Sequence, residues 1–162
     1  AEAWGRRFHS QAKSGMIRAA TPADLPQLVA LITGLAAHHD DAALVTEATL
    51  ARDVFGPHPC LQILVAEAAD GLQAYAALTQ LARLQWGQRG MDLHHLYVAE
   101  NQRGKGLGTR LIQAVTDLAR AQGCSYLTVS ALTSNTRAQG FYTKRGFHPA
   151  PVSGQRFALD LG

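Results

Sequence analysis

One stretch, "NQRGKGLGTRL" from Asn101 to Leu111, constrains the fold more than any other part of the 162-residue chain. It carries glycines at positions 104, 106 and 108, it follows the β-rich segment "MDLHHLYVAE", and it precedes apolar residues at helical spacing. A turn from a strand into a helix needs one glycine, and each further glycine costs about 0.5–1 kcal/mol in backbone entropy. The extra glycines therefore indicate that the backbone of this loop binds a ligand.

The chemistry of the loop predicts an anionic ligand. Alternating glycines let successive backbone N–H groups face one anion, and the positive end of the following helix adds to the attraction. Arg103, Lys105 and Arg110 strengthen the same field. A P-loop is excluded because Gly106, and not Ser or Thr, follows Lys105, and a dinucleotide fingerprint is excluded because Thr109 stands at the position of its third glycine. The loop is predicted to bind a phosphate of another kind.

The length and composition of the chain favour one globular domain. With 162 residues, 47% of them hydrophobic and 17% charged, the chain can bury one full core. Residues 1–15 show no periodicity, and we expect them to be a cloning remnant or a disordered extension, with residues 16–162 as the single domain. The chain contains no run of about 18 apolar residues, so no membrane partner is expected.

Charge and cysteine usage narrow the partners and the compartment. The formal charge of +3 comes from scattered Lys and Arg residues, which favours small anionic ligands over nucleic acid. Cys60 and Cys124 lack the spacing of metal ligands, and we expect both to be buried thiols in a reducing compartment. A cytoplasmic protein without a bound metal is therefore predicted.

Periodicity along the chain predicts a mixed α/β fold around one central sheet. A helix is expected to begin at Thr21, because Pro22 and Asp24 follow at the positions of a helix start and a capping box. A turn is expected around residues 88–90. The predicted strands are 17–20, 60–68, 72–86, 91–100, 125–132 and two around Gly154, and the predicted helices are 21–38, 46–55, 107–123 and 135–146.

Two motifs together resemble the GNAT acetyltransferase superfamily. "RGKGLG", Arg103 to Gly108, is similar to the R-x-x-G-x-G/A loop that binds the pyrophosphate of acyl-CoA in that superfamily. "NTRAQGFYTKRGF", Asn135 to Phe147, resembles its later N-x-x-A-x-x-F-Y-x-K-x-G-F signature. The opening "MIRAATPADLPQLVALI" is also typical, so the resemblance covers Met16 to Leu161. It implies the GNAT fold: a mostly antiparallel sheet of 6–7 strands, with strands 4 and 5 splayed apart, flanked by about four helices.

The resemblance implies acetyl-CoA as the acetyl donor and no metal. The pantetheine arm of acetyl-CoA would lie between the strands 91–100 and 125–132, against backbone groups of strand 91–100. The residues implied to bind acetyl-CoA are Leu96, Tyr97, Val98, Arg103, Gly104, Lys105, Gly106, Leu107, Gly108, Thr109, Asn135, Ala138 and Tyr142.

Tyr142 is the candidate general acid. Asn135, Ala138 and Tyr142 have the spacing i, i+3 and i+7 and so share one face of a helix. The resemblance implies that Tyr142 protonates the departing thiolate of CoA. A phenol with a pKa near 10 can protonate a thiolate whose conjugate acid has a pKa near 8.5 if the two groups are adjacent. A packing role with the hydroxyl on a backbone carbonyl is the alternative.

The general base remains open between three side chains and water. Many relatives carry Glu two residues before the segment that corresponds to "LYV", whereas this chain has His94 there. Strand alternation predicts that Asp92 and His94 share one face and that His95 lies on the other. Our hypothesis is that His94 serves as the base, since its ordinary pKa near 6.5 suits neutral pH. His95, Asp92 or water are the alternatives, as is a structural role for the histidine pair.

The acceptor site is the least specified part of the sequence. The segment "HHDD", His38, His39, Asp40 and Asp41, follows the first helix, where relatives have a loop over the acceptor, and its acids could attract a cationic amine. Trp86 and Tyr75 either line this site or fill the core.

The motifs look nearest to the polyamine and diamine branch, which predicts acetylation of a primary amine on a polyamine, diamine or amino-acid-like molecule. The alternatives are acetylation of a protein N-terminus or lysine, an RNA-directed enzyme, and a non-catalytic acyl-CoA-binding module. A homodimer is common in the superfamily, so a homodimer is a further expectation.

Overall fold

The computed structural model describes residues 15–150 and 154–162. They fall into two compact units, one ending at Ser130 and the other beginning at Ala131. The prediction for residues 1–14 lies outside the described part of the chain, while Gly15 is buried and its carbonyl accepts a hydrogen bond of 2.6 Å from Arg110 Nη2. The elements of the first unit are β1 (Met16–Ala19), α1 (Leu25–His38), α2 (Glu47–Phe55), β2 (Gln62–Ala68), β3 (Gly71–Arg83), β4 (Gln88–Val98), α3 (Leu107–Ala121) and β5 (Tyr126–Val129). The second unit contains α4 (Thr136–Thr143).

The first helix begins as the sequence predicts. Pro22–Asp24 form a short 3₁₀ turn that leads into α1, and Thr21 and Asp24 form a capping box. Asp24 is only 4% exposed, and its carboxylate accepts two hydrogen bonds from Arg18, of 2.7 and 2.9 Å, and one of 2.7 Å from the Thr21 N–H. These bonds, led by those from Arg18, lower the pKa of Asp24. The cap therefore ties the helix start to β1.

The central sheet has five strands in the order β1-β2-β3-β4-β5. The first three pairings are antiparallel, and β4 pairs with β5 in parallel. The predicted fold class is confirmed, but the predicted count of 6–7 strands is wrong for the part of the chain that the structure describes.

The two strands predicted around Gly154 account for the difference. Residues 147–150 and 154–162 are not in strands, and residues 151–153 lie outside the described ranges. Alternating apolar residues at 157, 159 and 161 produced the prediction, yet Phe157, Leu159 and Leu161 are 88%, 83% and 92% exposed. A period-2 pattern predicts a strand only where a neighbouring strand pairs with it, and none pairs with residues 154–162 here.

The predicted turn at residues 88–90 is also wrong, because those residues begin β4. The chain reverses through a 3₁₀ turn at Leu84–Trp86, and Gly87 supplies the left-handed backbone with φ of +59°. Gly90 serves packing, since a β-carbon there would collide with the ring of Tyr126 on β5. The glycine was predicted to lie in a turn because close packing and tight turns both select glycine.

Helices cover both faces of the sheet. On one face α1 and α2 pack over a cluster that includes Leu28, Leu50 and Tyr75. On the other face α3 packs against β2, β3 and β4 with Leu111 and Val115 fully buried. The expectation of buried cysteines is wrong for Cys60, which is exposed in the segment after α2, whereas Cys124 is partly exposed; both are free thiols. Within residues 15–150 and 154–162, no helix is long and apolar enough to cross a membrane.

Candidate active site

The glycine loop leads from the end of β4 into α3. Gly104 and Gly106 have φ of +77° and +78°, and no heavy atom lies within 4 Å of a β-carbon built at either position. Glycine is therefore required by the backbone conformation and not by crowding. Gly106 is the N-cap of α3, and Gly108 lies in its first turn, where backbone N–H groups have no intrahelical acceptor. The loop and the helix start together form a positively polarised segment of backbone.

The three basic side chains of this region have different partners. Arg103 donates from Nε to the carbonyl oxygen of Val98 at 3.1 Å, and its guanidinium carbon lies 5.5 Å from the centre of the Tyr97 ring. Lys105 is exposed and donates to Gln102 Oε1 at 3.0 Å. Arg110 donates to Gly15, as described above. Arg103 thus fixes the loop to the end of β4, and Lys105 lies at the surface beside the two left-handed glycines.

The β4–β5 pairing covers only the first part of β4. The ladder joins Gly90–Leu93 to Tyr126–Val129, whereas the rest of β4 extends beyond it, with residues 95–98 still paired with β3. Beyond Val129, where β5 ends, no pairing joins the two strands in the described first unit, as the predicted divergence requires. The second half of β4 therefore has an edge that β5 does not pair in the described first unit.

Backbone groups alternate along this edge of β4. Ala99 N–H donates to the Gln73 carbonyl on the β3 side at 2.9 Å, so the N–H and C=O groups of Val98 point to the opposite side. Arg103 reaches the Val98 carbonyl there, and by the same alternation Leu96 also faces away from β3. The backbone N–H and C=O groups of Tyr97 point toward β3. Of the three predicted pantetheine-binding residues, two thus present backbone hydrogen-bonding groups on the β5 side.

A β-bulge at His94 overturns the predicted alternation of side chains. Leu93 lies opposite Leu78 and His95 lies opposite Ala77, so His94 is an extra residue without a cross-strand partner. The extra residue shifts the alternation by one position. As a result His95, and not His94, lies on the same face as Asp92. The rings of His94 and His95 stack with centroids 4.5 Å apart, which successive residues of a regular strand cannot do.

His95 is hydrogen-bonded to a buried tyrosine on the neighbouring strand. Nδ1 of His95 lies 3.1 Å from the hydroxyl oxygen of Tyr75, which is fully buried. Burial lowers the pKa of His95, and the nearby charges of His94 and His39 lower it further. Burial, followed by the effect of Tyr97, raises the pKa of Tyr75 above its usual range, so the phenol keeps its proton. His94 is exposed at the bulge.

The end of α1 lies beside the histidine pair. His39 caps α1, its ring contacts that of His38 at a centroid distance of 5.5 Å, and it acts electrostatically on His95. All four residues from His38 to Asp41 are exposed, and Asp40 has φ of +55°. One turn earlier, a β-carbon at Gly34 would lie 2.8 Å from the Tyr97 hydroxyl oxygen, so α1 and β4 approach closely here. The structure thus brings part of the predicted acceptor segment to the histidines.

Two other candidates lie away from this histidine group. Asp92 Oδ1 accepts a hydrogen bond of 2.6 Å from Thr128 Oγ1, which joins β4 to β5 within their short ladder. Trp86 is 64% exposed at the turn before β4, roughly 25–30 Å along the strand from His95. Of the two aromatic candidates, Tyr75 therefore contacts the histidines and Trp86 does not. Among the residues that the structure describes, no group of three or more His, Cys, Asp or Glu side chains could hold a metal ion.

The second unit holds Tyr142 in an aromatic cluster. Its ring lies 5.4 Å from that of Phe141 and 5.6 Å from that of Phe147, between centroids, and burial raises the pKa of its phenol. Asn135 caps α4, with Oδ1 accepting from the Ala138 N–H at 3.0 Å. Sequence reasoning assigned this amide to CoA and missed the cap, although an Asn directly before a helix is a common N-cap signal.

Family comparison agrees with the fold and with the order of these elements. The model of the acetyltransferase (GNAT) family matches residues 27–147. The chain belongs to this family. It is an N-acetyltransferase, and acetyltransferases of this family use acetyl-CoA as the acetyl donor. The matched residues include β4, the glycine loop and the whole of α4.

Individual relatives support the same assignment at moderate identity. The chain is 33% identical over 141 residues to a thialysine N-epsilon-acetyltransferase of Bos taurus, covering 81% of this chain and 82% of the relative. It is 38% identical over 105 residues to an L-methionine sulfoximine/L-methionine sulfone acetyltransferase of Pseudomonas paraeruginosa, covering 61% of this chain and 60% of the relative. An integron cassette protein from V. cholerae has the same fold, with a TM-score of 0.73, 24% identity and coverage of 93% and 94% of the two chains.

Proposed function

We propose that this GNAT enzyme transfers the acetyl group of acetyl-CoA to a primary amine of a small molecule by direct attack of the amine on the thioester. The observation that carries the proposal is the course of β4 in the first unit. Its β5-side edge carries the outward backbone groups of Leu96 and Val98, and the strand leads into the left-handed glycines 104 and 106. A long ligand that ends in a pyrophosphate matches this sequence of groups.

The residues of the donor side fit acetyl-CoA. Amide groups of the pantetheine arm can pair with the edge of β4 as an added strand would. The first-turn N–H groups of α3 suit a pyrophosphate, and Lys105 adds a cation beside them. Arg103 contributes by holding the loop against Val98. The thioester supplies an activated acetyl group, and the N–H of Val98, which faces away from β3, can stabilise the oxyanion.

Proton transfer is assigned to His94 and Tyr142. An ammonium has no lone pair, so the acceptor must lose a proton before it attacks, and exposed His94 can accept that proton directly or through water. Tyr142 remains protonated at neutral pH because burial raises its pKa, and it holds the proton that the departing thiolate takes.

The acceptor class follows from two lines of support. The relatives named above are an acetyltransferase of thialysine and one of methionine sulfoximine and methionine sulfone, by their names. In this chain the exposed segment His38–Asp41 carries two acids, and its His39 acts electrostatically on His95, which favours a cationic acceptor. A small amine, either amino-acid-like or a polyamine, is therefore the proposed acceptor.

A paired acceptor screen tests the proposal. Release of free CoA thiol is measured for thialysine, lysine, cadaverine, spermidine, methionine sulfoximine and an N-terminal peptide, with acetyl-CoA as donor. Lysine and cadaverine are a matched pair that differs only in the α-carboxylate. Turnover of at least one small amine above the peptide supports the proposal. Turnover of the peptide alone would indicate a protein acetyltransferase, and CoA binding by calorimetry without turnover of any acceptor would indicate a binding module.

A further inference from the structure

We propose that the buried Tyr75 hydroxyl fixes neutral His95 in the tautomer that carries its proton on Nε2. His95 then meets the acceptor as a hydrogen-bond donor and does not serve as the general base. The role toward the acceptor rests on the proposed function above, whereas the tautomer is a property of the protein alone.

The hydrogen-bonding capacity of Tyr75 determines the direction of this bond. A buried hydroxyl that donates to nothing destabilises the fold, so the Tyr75 proton needs an acceptor. Within the described ranges, the hydrogen-bond partner of the Tyr75 hydroxyl is Nδ1 of His95. If Nδ1 carried a proton and donated, the Tyr75 O–H would have no acceptor. Tyr75 therefore donates, and the proton of the neutral ring is on Nε2.

The surroundings of His95 keep its ring neutral. His94 is stacked on it, and His39 at the end of α1 and His94 both disfavour a further positive charge. Asp92 lies on the same face of β4, and its carboxylate already accepts from Thr128. Both ring nitrogens are accounted for in this state, because Nδ1 accepts from Tyr75 and Nε2 carries the proton. No lone pair is left for the ammonium of an acceptor.

His94 and His95 thus have different roles, although the sequence offered them as alternatives for the general base. The exposed extra residue, His94, has no such tyrosine partner among the described residues and can take a proton. His95 can instead donate its Nε2 proton to an oxygen of the acceptor, such as a carboxylate. His95 and Tyr75 thus become candidates for substrate positioning, with Tyr75 acting through His95.

Nitrogen NMR of the imidazole side chains measures the tautomer directly. In a long-range ¹H–¹⁵N spectrum of the full-length protein at neutral pH, His95 is expected to show an unprotonated Nδ1 and a protonated Nε2. The His95→Gln variant assigns the resonances by their loss. A protonated Nδ1 beside an unprotonated Nε2 would overturn the proposal, and this result requires no activity and no altered Tyr75.

The Tyr75→Phe variant tests which group donates the hydrogen bond, by the direction in which the titration midpoint of His95 changes. Tyr75→Phe removes a bond to the neutral ring, so the titration midpoint of His95 is expected to rise, by about half a pH unit. A fall would mean that His95 donates to Tyr75. Tyr126→Phe is the matched control, because Tyr126 packs against Gly90 and lies under Arg83, and it should leave the midpoint unchanged. If Tyr75→Phe does not fold, the wild-type spectrum still decides.

Kinetics of two His95 variants test the role toward the acceptor. Gln retains an N–H donor near the position of Nε2 but cannot act as a base at neutral pH, whereas Leu retains neither. We expect His95→Leu to raise the acceptor KM about tenfold, and His95→Gln to recover most of the loss with the pH profile unchanged. Loss of the acidic limb of the profile, together with a fall of more than a hundredfold in kcat, in His95→Gln would overturn the donor role. If no amine is turned over by the wild-type enzyme, the proposed function fails while the NMR result for the tautomer stands.

Discussion

The glycine loop and the histidine bulge lie at opposite ends of the second half of β4, and both depart from regular structure. The loop does so with glycines in a left-handed conformation at positions 104 and 106. The bulge does so with an ordinary residue, His94, which is extra only relative to its partner strand. The conformation of the loop is a local property of its residue types, whereas the bulge exists only because β3 and β4 pair in one particular register.

This difference follows the division between the proposed donor side and the proposed acceptor side of the enzyme. The donor side depends on one continuous segment, from Leu96 to the first turn of α3. The acceptor side depends on three elements brought together by packing: α1 through His39 and Gly34, β3 through Tyr75, and β4 through the histidines. A substitution on the donor side should therefore act locally, and one on the acceptor side should couple to distant residues.

The largest effect is expected on protonation of the departing thiolate, a step that needs both the donor and the acceptor to be bound. Tyr142→Phe removes the proposed acid and should lower kcat about 10²–10³-fold, with little change in either KM. Steady-state thiol release measures it, and Tyr126→Phe provides the matched loss of a phenol elsewhere. Retention of more than a third of kcat would remove Tyr142 from proton transfer.

The acceptor side alone should respond to His94→Gln. Loss of the base should lower kcat/KM for the amine about 10²-fold, flatten the dependence on pH near the histidine range, and leave the KM for acetyl-CoA unchanged. The pH profile of kcat/KM from pH 5.5 to 9 is the measurement. An unaltered profile would show that water or another group removes the proton.

The donor side alone should respond to Gly106→Ala. An L-residue at φ of +78° is strained, so we expect a loss of about 1–2 kcal/mol in the free energy of unfolding and weaker binding of CoA. Denaturant titration and calorimetry measure the two effects. Gly140→Ala is the matched control, because Gly140 lies within α4, a β-carbon there meets no atom within 4 Å, and alanine should stabilise the helix slightly. Equal effects of the two variants would contradict a conformational role for Gly106.

The smallest effect is expected where neither side is touched. Thr128→Val removes the hydrogen bond to Asp92 and should cost about 1 kcal/mol of stability while activity stays near that of the wild type. A loss of activity comparable to that of His94→Gln would indicate that Asp92, held by Thr128, takes part in proton transfer.

Sequence reasoning succeeded where local chemistry determines the structure. The capping box at Thr21 and Asp24 and the helix from Leu107 with apolar residues at helical spacing both follow from residues a few positions apart. Each is a choice between conformations available to a short segment, so spacing is sufficient to predict it.

Sequence reasoning failed where pairing between distant segments decides. The bulge at His94 depends on how β4 pairs with Ala77 and Leu78 of β3, 17 and 16 positions earlier in the chain, and no glycine or proline marks it. Gly90 was predicted to lie in a turn because its contact with Tyr126 depends on the parallel β4–β5 ladder, which joins residues far apart in the chain. The predicted strands after residue 147 had the right alternation but no neighbouring strand in the described ranges. The same limit led to the wrong prediction that His94, and not His95, shares a face of β4 with Asp92.

The contact between Gly34 and Tyr97 links two positions that are far apart in the chain. With a β-carbon expected 2.8 Å from the phenol oxygen, alanine at position 34 requires either a moved tyrosine or a wider gap between α1 and β4. Relatives of this chain are therefore expected to change the two positions together, a larger residue at 34 accompanying a smaller one at 97. Substitutions at position 34 therefore offer protein engineers a way to vary the gap between α1 and β4 by one methyl group at a time.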